Sequence, residues 1–173
     1  MGHDKSHYLA WRHHSQPAPV KLIVIAESPP ESGKYFYDPE GSRGEILFRE
    51  MMKLLDVTCS SKDEGLRAFR QAGRILVDAT YEPLNDGRSE SERNKAILRD
   101  YPLLVADLLD LTPDRSTPVV LIKANVCKVL EPRLVKDGFR VLNRGIRPPF
   151  PTYQPDKFRE DFNRILRSAA VTL

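Results

Sequence analysis

The sequence predicts an α/β fold: a three-layer α/β/α sandwich around a central, mostly parallel sheet of four strands. Three observations predict it. Short apolar runs alternate with longer stretches of helical periodicity, in the order strand, helix, four times over. The runs are continuously apolar, as in strands covered on both faces. The chain has 173 residues, 40% of them apolar, which suits one domain with a real core.

The first run, Val20 to Ala26 (VKLIVIA), lies between Pro19 and Pro29 and reads as a buried strand. Glu45 to Leu55 (EILFREMMKLL) follows as a helix with a broad apolar face. A helix over Lys62 to Gln71 starts at the cap region Ser60-Ser61 and ends at Gly73. Arg74 to Asp78 (RILVD) is the second strand. Ser91 to Leu111 reads as a long helix that Pro102 kinks or splits. Pro118 to Lys123 (PVVLIK) is the third strand and opens directly into a short helix, Ala124 to Leu130. Phe139 to Asn143 (FRVLN) is a weaker fourth strand, and Pro155 to Leu166 a closing helix. Residues 1–19 form an N-terminal arm or helix, and residues 20–173 the α/β domain.

Ligands of such a sheet bind at the carboxyl ends of its strands. The segments Glu27 to Asp38, Asp78 to Asn85, Lys123 to Asn125 and Asn143 to Pro151 are therefore expected to converge. The formal charge of +3 permits a nucleic-acid partner without demanding one. No apolar run approaches the ~20 residues of a membrane helix, and the N-terminus lacks an apolar signal core. A cytoplasmic protein that does not engage membranes is expected. Cys59 and Cys127 lie far apart with no Cys-x-x-Cys spacing, so they read as structural thiols. No G-x-G-x-x-G and no phosphate-loop lysine motif is present, and no cofactor is expected. His3, His7, His13 and His14 are conceivable metal ligands, but a tail or an arm packed along the domain is the simpler reading.

Ala26-Glu27-Ser28-Pro29-Pro30, Gly33-Lys34-Tyr35-Phe36-Tyr37, Asp78 with Glu82-Pro83-Leu84-Asn85, Ile122 to Leu130, and Asn143 to Phe150 resemble, in that order, elements of the uracil-DNA glycosylase superfamily in its iron–sulfur branch. Ala26-Glu27-Ser28-Pro29-Pro30 after the first strand is similar to Gly-Glu-Ala-Pro-Gly. Gly33-Lys34-Tyr35-Phe36-Tyr37 stands where that branch has Gly-Arg-Pro-Phe-Val. Asp78, then Glu82-Pro83-Leu84-Asn85, takes the place of a strand-ending Asn and a proline-containing loop. Ile122 to Leu130 matches the short third helix, and Asn143 to Phe150 the final His-Pro-Ser loop. The resemblance covers roughly residues 20–167. It departs in lacking the cluster cysteines, so no iron–sulfur cluster is expected. Lys123 replaces a glycine, Asp78 replaces the Asn, and the final motif has no His.

The resemblance implies a monofunctional DNA glycosylase that flips out a damaged or modified base, uracil or an aminated relative, and hydrolyses its N-glycosidic bond. The alternative is a catalytically weak or inactive nucleic-acid-binding member of the same fold. A third class, hydrolysis of free nucleosides, stays open. Breaking the C–N bond builds positive charge on the sugar, which calls for a carboxylate. Glu27 is the candidate, unless it only caps its loop. Asn143, in the place of the final motif, is the second catalytic candidate. Ser28, Phe36 and Asp78 would contact the base: Phe36 as a stacking shelf or merely a loop anchor, Asp78 as edge reader or turn cap. Ionised Asp78 only accepts and favours an exocyclic amine, whereas protonated Asp78 donates to a carbonyl. Lys123, Asn125, Arg144 and Arg147 would bind DNA, single- or double-stranded, at a helix N-terminus and on the final loop. Alternatively Lys123 edges a strand, Asn125 caps a helix and the arginines are simply solvated.

Overall fold

The computed structural model describes residues 4–84 and 87–170. His3 and Asn85, both named above, lie outside the described residues. The elements run α1 (Lys5–His14), β1 (Leu22–Ala26), α2 (Ile46–Leu54), α3 (Lys62–Gln71), β2 (Arg74–Asp78), α4 (Glu90–Leu111), β3 (Val119–Leu121), α5 (Ala124–Lys136) and α6 (Pro155–Ser168).

The sheet is parallel, in the order β2-β1-β3. All its strand residues are buried, as the continuous apolar runs require. Alternation along the strands sends the two sets of side chains into two cores. Leu22, Val24, Leu76 and Val120 meet α2, α3 and α6 through Phe48, Met51, Phe69, Phe158 and Phe162. Ile23, Ile25, Ile75, Val77, Val119 and Leu121 meet α4 and α5 through Ile97, Leu104, Leu108, Val126 and Leu130. The α/β class and the sandwiched sheet therefore hold.

The fourth strand does not. Phe139 to Asn143 contributes one isolated parallel bridge, Val119 to Val141, framed by Val119 N–H to Arg140 O and Leu142 N–H to Val119 O, each 2.9 Å. Beyond it Arg144 and Gly145 take positive φ (48° and 83°) and turn the backbone away, so the ladder cannot continue. The Asn143 side chain continues it instead. Its Oδ1 accepts from Leu121 N–H at 2.8 Å, and its Nδ2 donates to Leu121 O and Ile146 O at 2.9 Å. A strand-like sequence thus ends as an amide clip on the edge of β3.

The opposite edge is closed by the aromatic triplet. The Tyr37 hydroxyl accepts from Leu76 N–H at 2.6 Å and donates to Leu76 O at 2.9 Å, satisfying the outward backbone pair of that residue. Buried Lys62 fixes this loop, donating to Tyr35 O and Glu45 Oε2 at 2.7 Å each.

The helices obey their end signals. Ser61 caps α3 through Glu64 N–H, and Ser89 forms a capping box with Glu92 at the start of α4. Helix α4 runs unbroken through the exposed Pro102, and α5 runs past Leu130 and through Pro132 to Lys136. The N-terminal segment is a docked helix: Tyr8 and Arg12 are buried, and the Tyr8 and Trp11 rings lie 4.8 and 6.0 Å from that of Tyr35. Among the described residues no helix is long and apolar enough to cross a membrane.

Replacing Asn143 by Ala strands the buried Leu121 N–H, takes the amide donor from Ile146 O, and leaves Leu121 O only the weak Cys127 Sγ donor at 3.4 Å. Each unmet backbone group costs roughly 1–3 kcal/mol, so Asn143→Ala is expected to lower stability by about 3 kcal/mol. A urea titration measures this, and a midpoint within error of wild type would refute the clip.

Candidate functional site

Glu27 is the first residue past β1, and strand alternation turns its side chain toward the α4–α5 layer. It is 6% exposed. A carboxylate there needs compensating charge, and three elements supply it. Arg93 from α4 donates NH1 to Oε1 at 2.6 Å, Lys123 from the end of β3 donates Nζ to the same oxygen at 2.6 Å, and Asn125 from the first turn of α5 donates Nδ2 to Oε2 at 2.7 Å. The Asn125 amide also donates to Asn94 Oδ1 at 3.2 Å. Burial pushes the Glu27 carboxyl up, but Lys123, Asn125 and Arg93 outweigh it and hold the pKa below its ordinary value. Glu27 is ionised at neutral pH.

Backbone bonds bring the expected loops together around this carboxylate. Thr80 N–H donates to Glu27 O at 3.1 Å, Ala79 N–H to Ala26 O at 2.9 Å, and Lys123 N–H to Pro148 O at 2.9 Å. The turns leaving β1, β2 and β3 and the final loop therefore meet at one end of the sheet. Ser28, beside Glu27, is partly exposed. Arg144 and Arg147 are exposed on the final loop, whose Gly145 N–H is tied to Glu131 Oε1 at 2.9 Å.

Several expected roles need correction. Asn143 is completely buried with both ends of its amide bound to backbone, so it holds the fold and does not present a group to a substrate. Phe36 is 5% exposed and packs against Tyr37, Phe48 and Phe69 at 5.0, 5.9 and 5.2 Å, in the core opposite the Glu27 layer. It anchors its loop and offers no open ring face. Asn125 is buried with its amide nitrogen taken up by Glu27 and Asn94, so it is not poised on a phosphate, whereas Lys123 gives one N–H to Glu27 and stays partly exposed.

Asp78 closes β2 in register with Ala26, so its side chain points to the face opposite Glu27. It is 3% exposed and accepts from the Tyr35 hydroxyl at 3.0 Å. Burial raises its pKa to about 7, with Tyr35 and Arg12 pulling only partly the other way. Burial likewise lifts the Tyr35 hydroxyl well above its usual range, reinforced by the Asp78 charge. At neutral pH Asp78 is thus available both as donor and as acceptor. It borders a cavity of about 480 Å³ beside β2, walled by Leu9 and Arg12 of α1 and by Leu103, Leu104 and Asp107 of α4. Arg93, Asn94, Tyr35 and Arg12 are the contributors that sequence reasoning did not single out. Arg93 lies 66 residues from Glu27 and Arg12 95 from its partner Asp107, and no local pattern announces such pairs.

The two carboxyls give stability opposite pH dependences. The depressed pKa of Glu27 makes its ionised form stabilising above about pH 4.5, and this contribution is lost as pH falls through the folded value. Asp78 has a raised pKa. Between 3.8 and about 7 the unfolded chain releases a proton that the folded chain keeps, so stability falls as pH rises through that window, by roughly 4 kcal/mol at ~1.4 kcal/mol per pH unit. Thermal unfolding of Asp78→Asn from pH 4 to 8 is expected to lack this fall relative to wild type, and Glu27→Gln to lack the acid-side loss below pH 4.5. No protein-family model matches the chain, and no curated protein matches it.

Proposed function

We propose that the protein is a DNA glycosylase of the uracil-DNA glycosylase type, with Glu27 as its catalytic carboxylate. The observation that carries this reading is an ionised carboxylate, buried and held by three donors, where the turns leaving the parallel strands meet. In hydrolysis of an N-glycosidic bond, the C1′–N electron pair departs with the base, water adds to C1′, and the proton that the water loses is taken up in the end by the departed base. The carboxylate's task is to steady the positive sugar between these events or to orient the water. The sugar would lie at Glu27 with Ser28 beside it. The base would reach across the ends of β1 and β2 toward Asp78, whose carboxyl, its pKa raised by burial, suits an edge carrying both N–H and C=O. Arg144 and Arg147 would take phosphates of the bound strand. The five-element resemblance supports the same assignment. Phe36 and Asn143 have no part in it.

One observation favours a second reading, nucleic-acid binding without excision. Both Glu27 oxygens already carry donors, so a developing cation would have to compete with them for the carboxylate.

Incubation with oligonucleotides carrying uracil or hypoxanthine, followed by alkaline cleavage at abasic sites, separates the two. Wild type is expected to generate abasic sites, and Glu27→Ala to do so slower by about 10²–10³-fold, the usual effect of losing one electrostatic contact to the transition state. Retarded mobility with no strand cleavage by wild type would establish the second reading. Arg144→Ala and Arg147→Ala are each expected to weaken binding evenly across sequences and to reduce the slope of log K against log salt by about one.

A further inference from the structure

We propose that α1 is a hinged cover over the Asp78 cavity, latched by Arg12 and displaced when a nucleic-acid strand enters, an inference that rests on the glycosylase reading for the identity of the entering strand. The cavity lies beside β2, with α1 as one wall and α4 as the other. The base-side carboxyl, Asp78, is buried, bonded by the Tyr35 hydroxyl, and lines the cavity that α1 walls. Because α1 walls the cavity that Asp78 borders, a nucleic-acid strand entering it presses on α1.

The way α1 is attached suits a movable part. It adds no strand or backbone ladder to the sheet, and a ten-residue helix is marginal by itself. Its hold is side-chain docking on one face. Tyr8 and Trp11 sit on the Tyr35 ring, and the Arg12 guanidinium pairs with Asp107 of α4 and donates to the Tyr81 hydroxyl at 2.7 Å. Ser6, Ala10 and His14 are exposed, and Lys5 and His13, also exposed, stand at the cavity itself. The latch is imperfect: Arg12 is 1% exposed, yet its Nε has no hydrogen-bond partner among the described residues. A buried donor left unmet weakens the closed form relative to one in which water or a ligand acceptor reaches it. The link to the site is Tyr35, whose ring carries the α1 aromatics and whose hydroxyl bonds Asp78. Lifting α1 uncovers Tyr35 and Asp78 together.

Trp11 is the chain's single tryptophan and lies on α1, so its fluorescence reports docking directly. The experiment compares iodide quenching of Trp11 in wild type and Asp107→Asn, first alone and then with a uracil-containing single-stranded oligonucleotide. Asp107→Asn uncouples the latch and is expected to raise quenching at least twofold without nucleic acid. It is also expected to bind the oligonucleotide at least threefold tighter, since opening no longer opposes binding. Wild type is expected to reach the quenching of the variant once the oligonucleotide is bound. If Asp107→Asn proves too unstable, Arg12→Gln tests the same latch, with circular dichroism confirming that either variant is folded. Unchanged quenching in a folded variant overturns the cover, and so does a released arm with unaltered oligonucleotide affinity. Raised quenching in the variant with no oligonucleotide binding by either protein removes the glycosylase reading and leaves the hinged arm supported, because the quenching step contains no nucleic acid.

Discussion

A carboxylate at the end of a buried central strand must be matched by positive charge, and much of the architecture at this end of the protein follows from how Glu27 is matched. Its partners come from α4, from the end of β3 and from the first turn of α5, separated from it by 66, 96 and 98 residues. Each bond fixes an element that would otherwise be placed only by nondirectional packing. The Lys123 backbone takes a positive φ of 77°, unusual for a residue with a side chain, at the position from which its ammonium reaches Glu27 and its N–H reaches Pro148. One ionised oxygen pair thereby orders the ends of the strands and the final loop.

The same constraint shapes the functional reading. A carboxylate surrounded by cations is firmly ionised, which suits a developing positive charge, yet its field is partly cancelled by the partners that hold it. On the opposite face, Asp78 has no cation within bonding distance among the described residues, and burial raises its pKa to about 7. The protein thus carries two carboxyls on adjacent strands in contrasting electrostatic states, set by what surrounds them rather than by their own chemistry. Such divergence is a recurrent mark of sites where acid and base tasks are separated.

The sequence announces its regular elements wherever local physics decides them. RILVD is a strand because five buried residues follow a helix-stopping glycine, and α3 begins after Ser61 because its hydroxyl meets Glu64 N–H. Helix α4 survives Pro102 because the ring sits on an exposed side and twenty-two residues of helix share the loss. FRVLN looked like a strand and became an edge clip, because two positive-φ residues after Asn143 end the pairing, and backbone torsions are not visible in an apolar run. Glu27 was legible because a charge beside a core strand needs a reason. Phe36 was not, since a ring packed inward and a ring held open have the same composition around them. The partners of Glu27 and Arg12 stayed hidden because they depend on how helices pack across the sheet.

The Tyr37 hydroxyl on Leu76 has a consequence beyond local bonding. An outermost strand with unmet amides and carbonyls is a template on which another extended chain will assemble. In β2 the outward pair at Leu76 is already engaged by a phenol from the protein's own loop, and the bulk of the tyrosines lies alongside. An intruding polypeptide would have to expel a fully buried ring before it could zip onto this border. The loop that carries Tyr35 to the proposed site is therefore also a guard against self-association, and variation within it is constrained by colloidal behaviour as well as by chemistry.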